Sequence, residues 1–358
     1  MALRIYLDHA ATTPLLPAAR AAMDAAITDW ANPSSPHAEG RAARAALEQA
    51  RAWIADLLGW RGAILFTSGA SEGIATVFAR ASAGGRIVSA VEHDAVRRVA
   101  GEGAIVAPVD RDGIVTPVAL ALAIEQAGVR PLVAVQLVNS ETGVIQPADA
   151  IGGAVRAAGG LWLADATQAV GKMPLPDADF IAFSAHKFGG PPGVGALLVR
   201  DLATLSPSGG QEQGYRGGTE NGPGIAGMAA ALAEGDGWMA RAAELRAQCD
   251  AAIEAAGGEI VAKSAPRLAT IAAYRMPGLS AAAQLIRFDM AGYAVSAGSA
   301  CSSGSLSPSP VLAAMGMTEA EASEVIRVSF GRSTRREHVW RFAERWRAIA
   351  AEARVRAA

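Results

Sequence analysis

Short apolar segments alternate with helical segments from residue 63 to residue 199, and this alternation restricts the fold more than any other feature. The apolar segments predict buried strands at 63–67, 86–90, 104–108, 132–137, 161–164, 180–183 and 195–199. Helices are predicted to begin between them, at residues 74, 95, 117 and 148. Repeated strand–helix units are typical of a mostly parallel sheet with helices on both faces. We therefore predict the α/β fold class, with a mostly parallel seven-stranded sheet.

The pattern changes after about residue 240. A long Ala-rich helix is predicted at 238–256, and shorter strands follow near 259–262, 268–275, 293–296 and 325–329. The last predicted helix carries an apolar stripe made by Val339, Phe342, Trp346 and Ile349. This pattern predicts a smaller α/β domain over 241–358, which residues 1–14 join, beside a large domain over 15–240.

Composition excludes several classes of protein. Hydrophobic residues make up 51% of the chain and charged residues 18%, which indicates a globular protein. The formal net charge of −2 argues against a nucleic-acid partner. The sequence has no apolar run long enough to span a bilayer and no apolar signal region near Met1. Two cysteines far apart in such a chain are expected to be reduced, so we expect a cytoplasmic protein without a membrane or metal site.

The sequence contains very few lysines. Among 32 basic residues, the lysines are Lys172, Lys187 and Lys263. Lys187 follows the predicted strand 180–183 and precedes a turn rich in Gly and Pro. A lysine amine can lose its proton and attack a carbonyl, whereas arginine stays charged. A lone lysine after a strand is usually a surface residue, so the interpretation of Lys187 depends on its neighbours.

Polar side chains follow several of the other predicted strands. Asp165 comes directly after a predicted strand, and His93 and Asn139 follow two others. Asp165 has an alternative interpretation as the N-cap of the next segment. The small-residue turn at 68–73 lies between a strand and a helix, where backbone N–H groups bind anions. A lysine, an acid, a flat ring and an anion site meet the requirements of pyridoxal 5'-phosphate.

Motifs along the whole chain resemble those of the cysteine desulfurases. The shared segments are 6–14 (YLDHAATTP), 32–35 (NPSS), 67–72 (TSGASE), 165–168 (DATQ), 184–187 (SAHK), 216–221 (RGGTEN), 298–301 (GSAC) and 327–332 (RVSFGR). The chain is therefore identified as a member of that family. Cysteine desulfurases belong to the class V aminotransferase group and have fold type I of the enzymes that depend on pyridoxal phosphate. The resemblance is strongest to the nitrogen-fixation and iron–sulfur-cluster branch, which has a long cysteine loop.

The resemblance assigns expected roles around the cofactor. Lys187 would bind the aldehyde, Asp165 the pyridine nitrogen and Gln168 the phenolic oxygen, while His93 would stack on the ring and move protons. The expected phosphate ligands are Ala70, Ser71, Ser184 and His186. Thr219 resembles the residue that reaches the phosphate of a second subunit, which implies a homodimer.

The resemblance also assigns substrate and sulfur chemistry. Asn139 and Arg327 would hold the carboxylate of L-cysteine, and Cys301 would take its sulfur as a persulfide and release L-alanine. Residues 298–310 are mostly Gly, Ser and Pro, so we expect Cys301 to lie on an exposed, mobile loop at about 297–310. Cys249, inside a predicted helix, is expected to be a buried small apolar residue.

The resemblance leaves several alternatives open. His9 and Ser71 stand where the family usually has Asn and Thr, and both substitutions keep a polar group. A selenocysteine lyase or another class V aminotransferase would share the fold, and fold alone does not separate them. A non-catalytic assembly subunit is an alternative of another class. The sulfur acceptor, an iron–sulfur scaffold or another carrier protein, is not identified by the sequence.

Overall fold

A computed structural model describes residues 4–298 and 309–357. The strands are β1 (Ile5–Tyr6), β2 (Ala63–Thr67), β3 (Arg86–Ser89), β4 (Ile105–Ala107), β5 (Leu132–Ala134), β6 (Leu161–Asp165), β7 (Phe180–Ser184), β8 (Gly195–Val199), β9 (Glu259–Ile260), β10 (Ile271–Arg275), β11 (Tyr293–Ala294) and β12 (Val325–Ser329). The helices are α1 (Pro17–Thr28), α2 (Ala38–Leu58), α3 (Ala70–Arg80), α4 (Asp94–Ala100), α5 (Pro117–Ala127), α6 (Ala148–Ala157), α7 (Gly222–Ala233), α8 (Met239–Ala255), α9 (Ala281–Met290), α10 (Pro310–Ala314), α11 (Glu319–Ala322) and α12 (Arg336–Ala357).

The larger sheet contains seven strands in the order β2-β8-β7-β6-β5-β3-β4. Strand β8 runs antiparallel to β2 and β7, and the remaining neighbours are parallel. The predicted mostly parallel seven-stranded sheet is therefore confirmed. Because β3, β5, β6 and β7 run in one direction, the residues that follow them meet at one edge of the sheet.

Both faces of this sheet are covered, which explains its continuous apolar strands. All residues of β6, β7 and β8 are buried. Along β7, Ile181 and Phe183 pack into the core on one face, while Phe180 and Ala182 pack into the core on the other. The seven-stranded sheet is thus a buried platform that fixes the side chains at its carboxyl edge.

The C-terminal part of the chain contains a second, smaller sheet of antiparallel strands in the order β12-β10-β9. Helices α8 and α12 pack together beside it, and Phe288, Phe342 and Trp346 form a stacked aromatic core. Strand β1 pairs in parallel with β11, so the first described residues lie in this region. The boundaries proposed for the two domains remain a prediction.

The structure differs from the predicted elements at two places that affect the site or its surroundings. Helix α3 begins at Ala70 rather than at residue 74, because the small-residue turn is already helical. The short helices α10 and α11 were not predicted. Within the described ranges, no helix is both long and apolar enough to cross a membrane.

Candidate active site

A cavity of about 310 Å³ lies at the carboxyl edge of the large sheet. Most of the residues predicted to form the site line it: Ala70, Ser71, His93, Asp165, Gln168, Ser184, His186, Lys187 and Arg327. These residues come from parts of the sequence up to 257 positions apart, Ala70 to Arg327, yet the parallel strands bring them together. The carboxyl edge of the sheet is therefore the candidate active site.

Lys187 ends a short 3₁₀ turn that follows β7 directly. Its Nζ donates to the carbonyl oxygens of Ala10, at 2.9 Å, and Ala11, at 2.8 Å. These two carbonyl groups come from the N-terminal segment and also line the cavity. The amine is therefore held at the cavity wall by main-chain acceptors.

Asp165 and Gln168 occupy the neighbouring strand end. Asp165 is the last residue of β6, and one carboxylate oxygen accepts from Thr167 N at 2.9 Å. Gln168 Nε2 donates to Ala10 O at 2.9 Å. Both side chains are buried and line the cavity, so an acid and an amide are fixed near the lysine.

The N-terminus of α3 forms the anion-binding end of the cavity. Its N-cap is Gly69, which provides no side-chain acceptor. Ala70 N donates to Ser184 Oγ at 2.8 Å, and Ser71 also faces the cavity. A helix N-terminus carries a partial positive charge, so this end of the cavity favours an anion.

Two histidines line the same cavity. His93 is the N-cap of α4, and its Nδ1 accepts from Ala95 N at 3.1 Å. His186 Nδ1 lies 3.1 Å from Thr12 Oγ1. Burial, together with the nearby charges of Lys187 and Lys172, lowers the pKa of His186 to about 4. His186 is therefore neutral near pH 7 and keeps one ring N–H as a donor.

Arg327 closes the side of the cavity nearest the smaller sheet. Its Nη2 pairs with Asp8 Oδ1 at 2.9 Å, and its Nη1 donates to Ser140 O at 3.1 Å. The guanidinium is buried, and its Nε has no hydrogen-bond partner within the described part of the chain. The two contacts fix the plane of a two-pronged donor at the cavity wall.

The sequence predicted that Asn139 faces the cavity, but in the structure its side chain does not line the cavity wall. Among the described residues the cavity wall includes Ser140 but not Asn139. Asn139 Nδ2 donates to Val91 O at 3.1 Å, and its Oδ1 accepts from the N–H groups of Glu141 and Thr142. The side chain therefore organises the turn behind the wall, and direct contact with a substrate carboxylate remains a prediction.

Two further predicted residues, Thr219 and Cys301, are not tested by the cavity wall that the structure describes. Thr219 is exposed and lies outside the described cavity wall, so its contact with a second subunit remains a prediction. Cys301 and its loop lie outside the described residues. Ser296, before the loop, exchanges backbone hydrogen bonds with Arg327. After the loop, Ser309 Oγ donates to Glu141 Oε2 at 2.6 Å.

Sequence reasoning missed several residues near the cavity. Lys172 is buried, and its Nζ lies 3.5 Å from Gln168 Oε1. Burial and the charge of Lys187 lower the pKa of Lys172 to about 7. Glu92 is also buried, and burial raises its pKa well above the ordinary value. The scarcity of lysine was the signal for Lys172, whereas Glu92 gave none beyond its place before His93.

Comparisons with known proteins agree with this geometry. The family model described as aminotransferase class-V matches residues 5–342. The chain belongs to the class-V aminotransferase family. It is 40% identical to the IscS-like cysteine desulfurase of Mycobacterium tuberculosis over an alignment of 365 positions, which covers 92% of each chain. It is 36% identical to the cysteine desulfurase of Cereibacter sphaeroides over an alignment of 369 positions, which covers 95% of this chain and 94% of that relative.

A solved structure of a NifS-like protein has nearly the same fold. The NifS-like protein from Rickettsia africae superposes with a TM-score of 0.90 at 30% identity, covering 97% of this chain and 99% of that one. The mixed α/β fold with its seven-stranded sheet is therefore that of a NifS-like enzyme.

Class-V aminotransferases use pyridoxal phosphate, and the residues of this cavity fit that group. Lys187 provides an amine for the aldehyde, and Asp165 provides a carboxylate for the ring nitrogen. The N-terminus of α3 suits the phosphate. The individual roles of these residues remain predictions.

Proposed function

We propose that the protein is a cysteine desulfurase, which converts L-cysteine to L-alanine and transfers the sulfur to Cys301 as a persulfide. One observation carries this proposal: Lys187, Asp165 and the N-terminus of α3 meet in one cavity of a class-V aminotransferase. The relatives named cysteine desulfurase, at 36–40% identity over most of the chain, favour this activity over others of the family.

Lys187, Asp165, Gln168 and His93 would hold pyridoxal phosphate, with its phosphate at the first turn of α3. When bound, this cofactor supplies an aldehyde for the substrate amine and an electron sink for the pair released at Cα. Asp165 would strengthen this electron sink, because its carboxylate would stabilise a proton on the ring nitrogen. The aldehyde and the electron sink are the two chemical requirements for weakening the Cα–H bond of the substrate.

The chain's own residues then orient the substrate and move its protons. Arg327, fixed by Asp8 and Ser140, binds the substrate carboxylate with the guanidinium edge. Lys187 Nζ, once neutral, accepts the Cα proton. His93 lies on the cavity wall and provides a second group for proton transfer.

The sulfur step is assigned to Cys301. Its thiolate attacks the substrate sulfur, an S–S bond forms, and the C–S bond of the substrate breaks. Protonation of the resulting carbon gives alanine, so L-cysteine and one thiol yield L-alanine and one persulfide. Among the described residues on either side of this segment, Ser296 exchanges backbone hydrogen bonds with Arg327, and Ser309 Oγ donates to Glu141.

The proposal extends to partners and location. Thr219 is exposed, which leaves it accessible to the phosphate site of a second copy in a homodimer. The persulfide would pass to an iron–sulfur scaffold or another sulfur-carrier protein in the cytoplasm. A solved structure of SspA in complex with cysteine, which is 29% identical and has a TM-score of 0.78, supports L-cysteine as the substrate. That comparison covers 91% of this chain and 98% of the SspA chain.

The first test is to add L-cysteine and a reductant to the purified protein and to measure sulfide and alanine together. We expect equal amounts of both, and we expect Cys301→Ser to lose both products while it keeps the visible absorbance of bound cofactor. Cys249→Ala is the matched control, because Cys249 is fully buried in the C-terminal core and its pKa is raised to about 12 by burial. Full turnover by Cys301→Ser would contradict the nucleophile assignment.

Other substrates separate the alternatives. Turnover with a keto acid instead of alanine release from L-cysteine would indicate an aminotransferase. Release of selenide from selenocysteine without release of sulfide would indicate a selenocysteine lyase. A protein that retains no pyridoxal phosphate and turns over none of these compounds would indicate an assembly subunit.

A further inference from the structure

An ion pair joins the phosphate end of the cavity to the segment that carries Thr219. Glu72 is the third residue of α3, and its Oε2 accepts from Ser68 N in the turn before the helix. Its Oε1 accepts from Arg216 Nε at 3.0 Å. One carboxylate therefore contacts the anion-binding turn and a residue 144 positions away.

Arg216 is anchored at both ends of its guanidinium. Besides Glu72, it donates from Nη1 to Gly218 O at 3.1 Å, the residue next to Thr219. The side chains of Glu72 and Arg216 are 31% and 24% exposed, so water screens this pair only in part. The pair thus connects the backbone beside Thr219 to the first turn of α3.

The same segment is held to the protein on either side of this pair. Glu212 accepts from Phe66 N at 2.7 Å and pairs with Arg51 at 2.8 Å, and its side chain is fully buried. Glu220 lies 3.6 Å from Arg44. These anchors hold residues 212–220 to α2 and β2, and the ion pair of Glu72 connects the segment to the turn before α3.

Glu72 places a negative charge close to the proposed phosphate. Burial alone would raise the pKa of Glu72, but hydrogen bonds from Ser68 and Arg216 lower it below its ordinary value. The carboxylate is therefore ionised, and a bound phosphate dianion at the same helix turn repels it. The ion pair with Arg216 offsets that repulsion. Phosphate binding therefore favours the state in which Arg216 contacts Glu72 and residues 212–220 lie against α3, which we call the docked state.

We propose that the Glu72–Arg216 pair couples phosphate binding at the first turn of α3 to the docking of residues 212–220. The proposal rests on the proposed function, since it takes the phosphate of the cofactor as the natural ligand. Coupling is reciprocal: phosphate steadies the segment, and the docked segment retains phosphate. Arg216 is a positioning residue, because it acts through Glu72 and not on the substrate.

The decisive measurement is the affinity for inorganic phosphate and for pyridoxal phosphate in wild type, R216Q, E72Q and the double variant E72Q/R216Q. We expect R216Q to bind both ligands more weakly, by up to about 5-fold, because Glu72 is left unpaired beside the phosphate. E72Q removes the repelling charge, so it binds at least as tightly as wild type. The double variant recovers most of the affinity that R216Q loses.

Hydrogen exchange provides the second readout. In wild type, phosphate should slow exchange in peptides spanning 212–220, and this protection should be absent in R216Q. Pyridoxal, which lacks the phosphate, should give little protection. R275Q is the matched control, because Arg275 forms a similarly buried pair with Glu324, at 2.8 Å, in the smaller sheet.

Two results would overturn the coupling. One is a double variant as weak as R216Q, which would mean that Arg216 acts without Glu72. The other is undiminished phosphate-dependent protection in R216Q. Both results are obtained with inorganic phosphate alone. They therefore test the coupling independently of the alanine and sulfide assay, which tests the proposed function.

Discussion

At the scale of single residues, the second buried amine of the site has a consequence for stability. Lys172 is buried beside Gln168 and near Lys187, and its pKa is lowered from 10.5 to about 7. Between about pH 7 and pH 10.5, Lys172 is therefore neutral in the folded protein, whereas an exposed lysine is protonated.

We predict that Lys172→Met changes the pH dependence of stability. Between pH 7 and 10.5 the unfolded chain binds a proton that the folded chain has released, so this lysine makes the free energy of unfolding rise with pH. Lys172→Met should lose that rise and should be relatively more stable at the lower end of this range. Urea unfolding near both ends of the range measures the effect.

Lys263→Met is the control for this prediction, because Lys263 is exposed and pairs with Glu254. Its difference from wild type should stay constant with pH. A difference between wild type and Lys172→Met that does not change with pH would show that Lys172 keeps its proton in the folded state.

The cavity residues show which single side chains a sequence can predict. Lys187 and Asp165 were predicted because each follows a strand of a parallel sheet, and the sheet itself brings them together. The hydrogen bonds from Lys187 to the carbonyl groups of Ala10 and Ala11 were not predicted, because every residue has a carbonyl group and it gives no sequence signature. Asn139 was predicted at the cavity, but three neighbouring backbone groups hold its side chain behind the wall.

At the scale of elements, close packing of two glycines fixes the turn before α3. A Cβ at Gly195 in β8 would lie 2.3 Å from Phe183 O and 2.7 Å from Gly69 Cα. Both neighbours are backbone atoms, so neither can move without shifting β7 or the turn. The φ of Gly69, +156°, belongs to the same tight arrangement.

We predict that Gly195→Ala destabilises the protein by about 1–3 kcal/mol, as expected for overpacking against backbone. It should also weaken phosphate binding, because Gly69 precedes the first turn of α3. Gly153→Ala in α6 is the control: a Cβ there meets open space, so it should stabilise the protein by about 0.5–1 kcal/mol. Chemical unfolding and phosphate titration test both variants, and normal phosphate affinity in a destabilised Gly195→Ala protein would contradict the link to the turn.

The helices and strands were predicted correctly where the residues that determine them are close together in the sequence. The pattern of strands was predictable because each buried strand is a short apolar run between turn residues. The start of α3 was not, since the acceptor for Ala70 N is Ser184 Oγ, 114 residues away. Helix α11 did have a local signal, the capping box of Thr318 and Glu321, but four residues are too few for apolar periodicity.

At the scale of the whole molecule, the N-terminal segment joins the two sheets. Strand β1 pairs with β11, and Asp8 forms a bridge with Ser329 of the smaller sheet. Two residues later, Ala10 O accepts from Lys187 and Gln168 at the cavity of the large sheet. We therefore expect a displacement of the smaller sheet to reach the proposed cofactor site through the turn at residues 9–11.

We predict that Ser329→Ala alters cofactor binding although Ser329 does not line the cavity. Ser329 Oγ accepts from Ala10 N at 2.9 Å in a fully buried position, so its loss leaves that N–H unsatisfied and should cost about 1–3 kcal/mol of stability. Because Ala10 O holds Lys187 and Gln168, the visible absorbance of bound pyridoxal phosphate should change and its release should accelerate. Ser323→Ala, which removes an exposed hydroxyl bonded to Ala320 O, should change neither property. A destabilised Ser329→Ala protein with unaltered cofactor absorbance and release would mean that the two sheets act independently at this site.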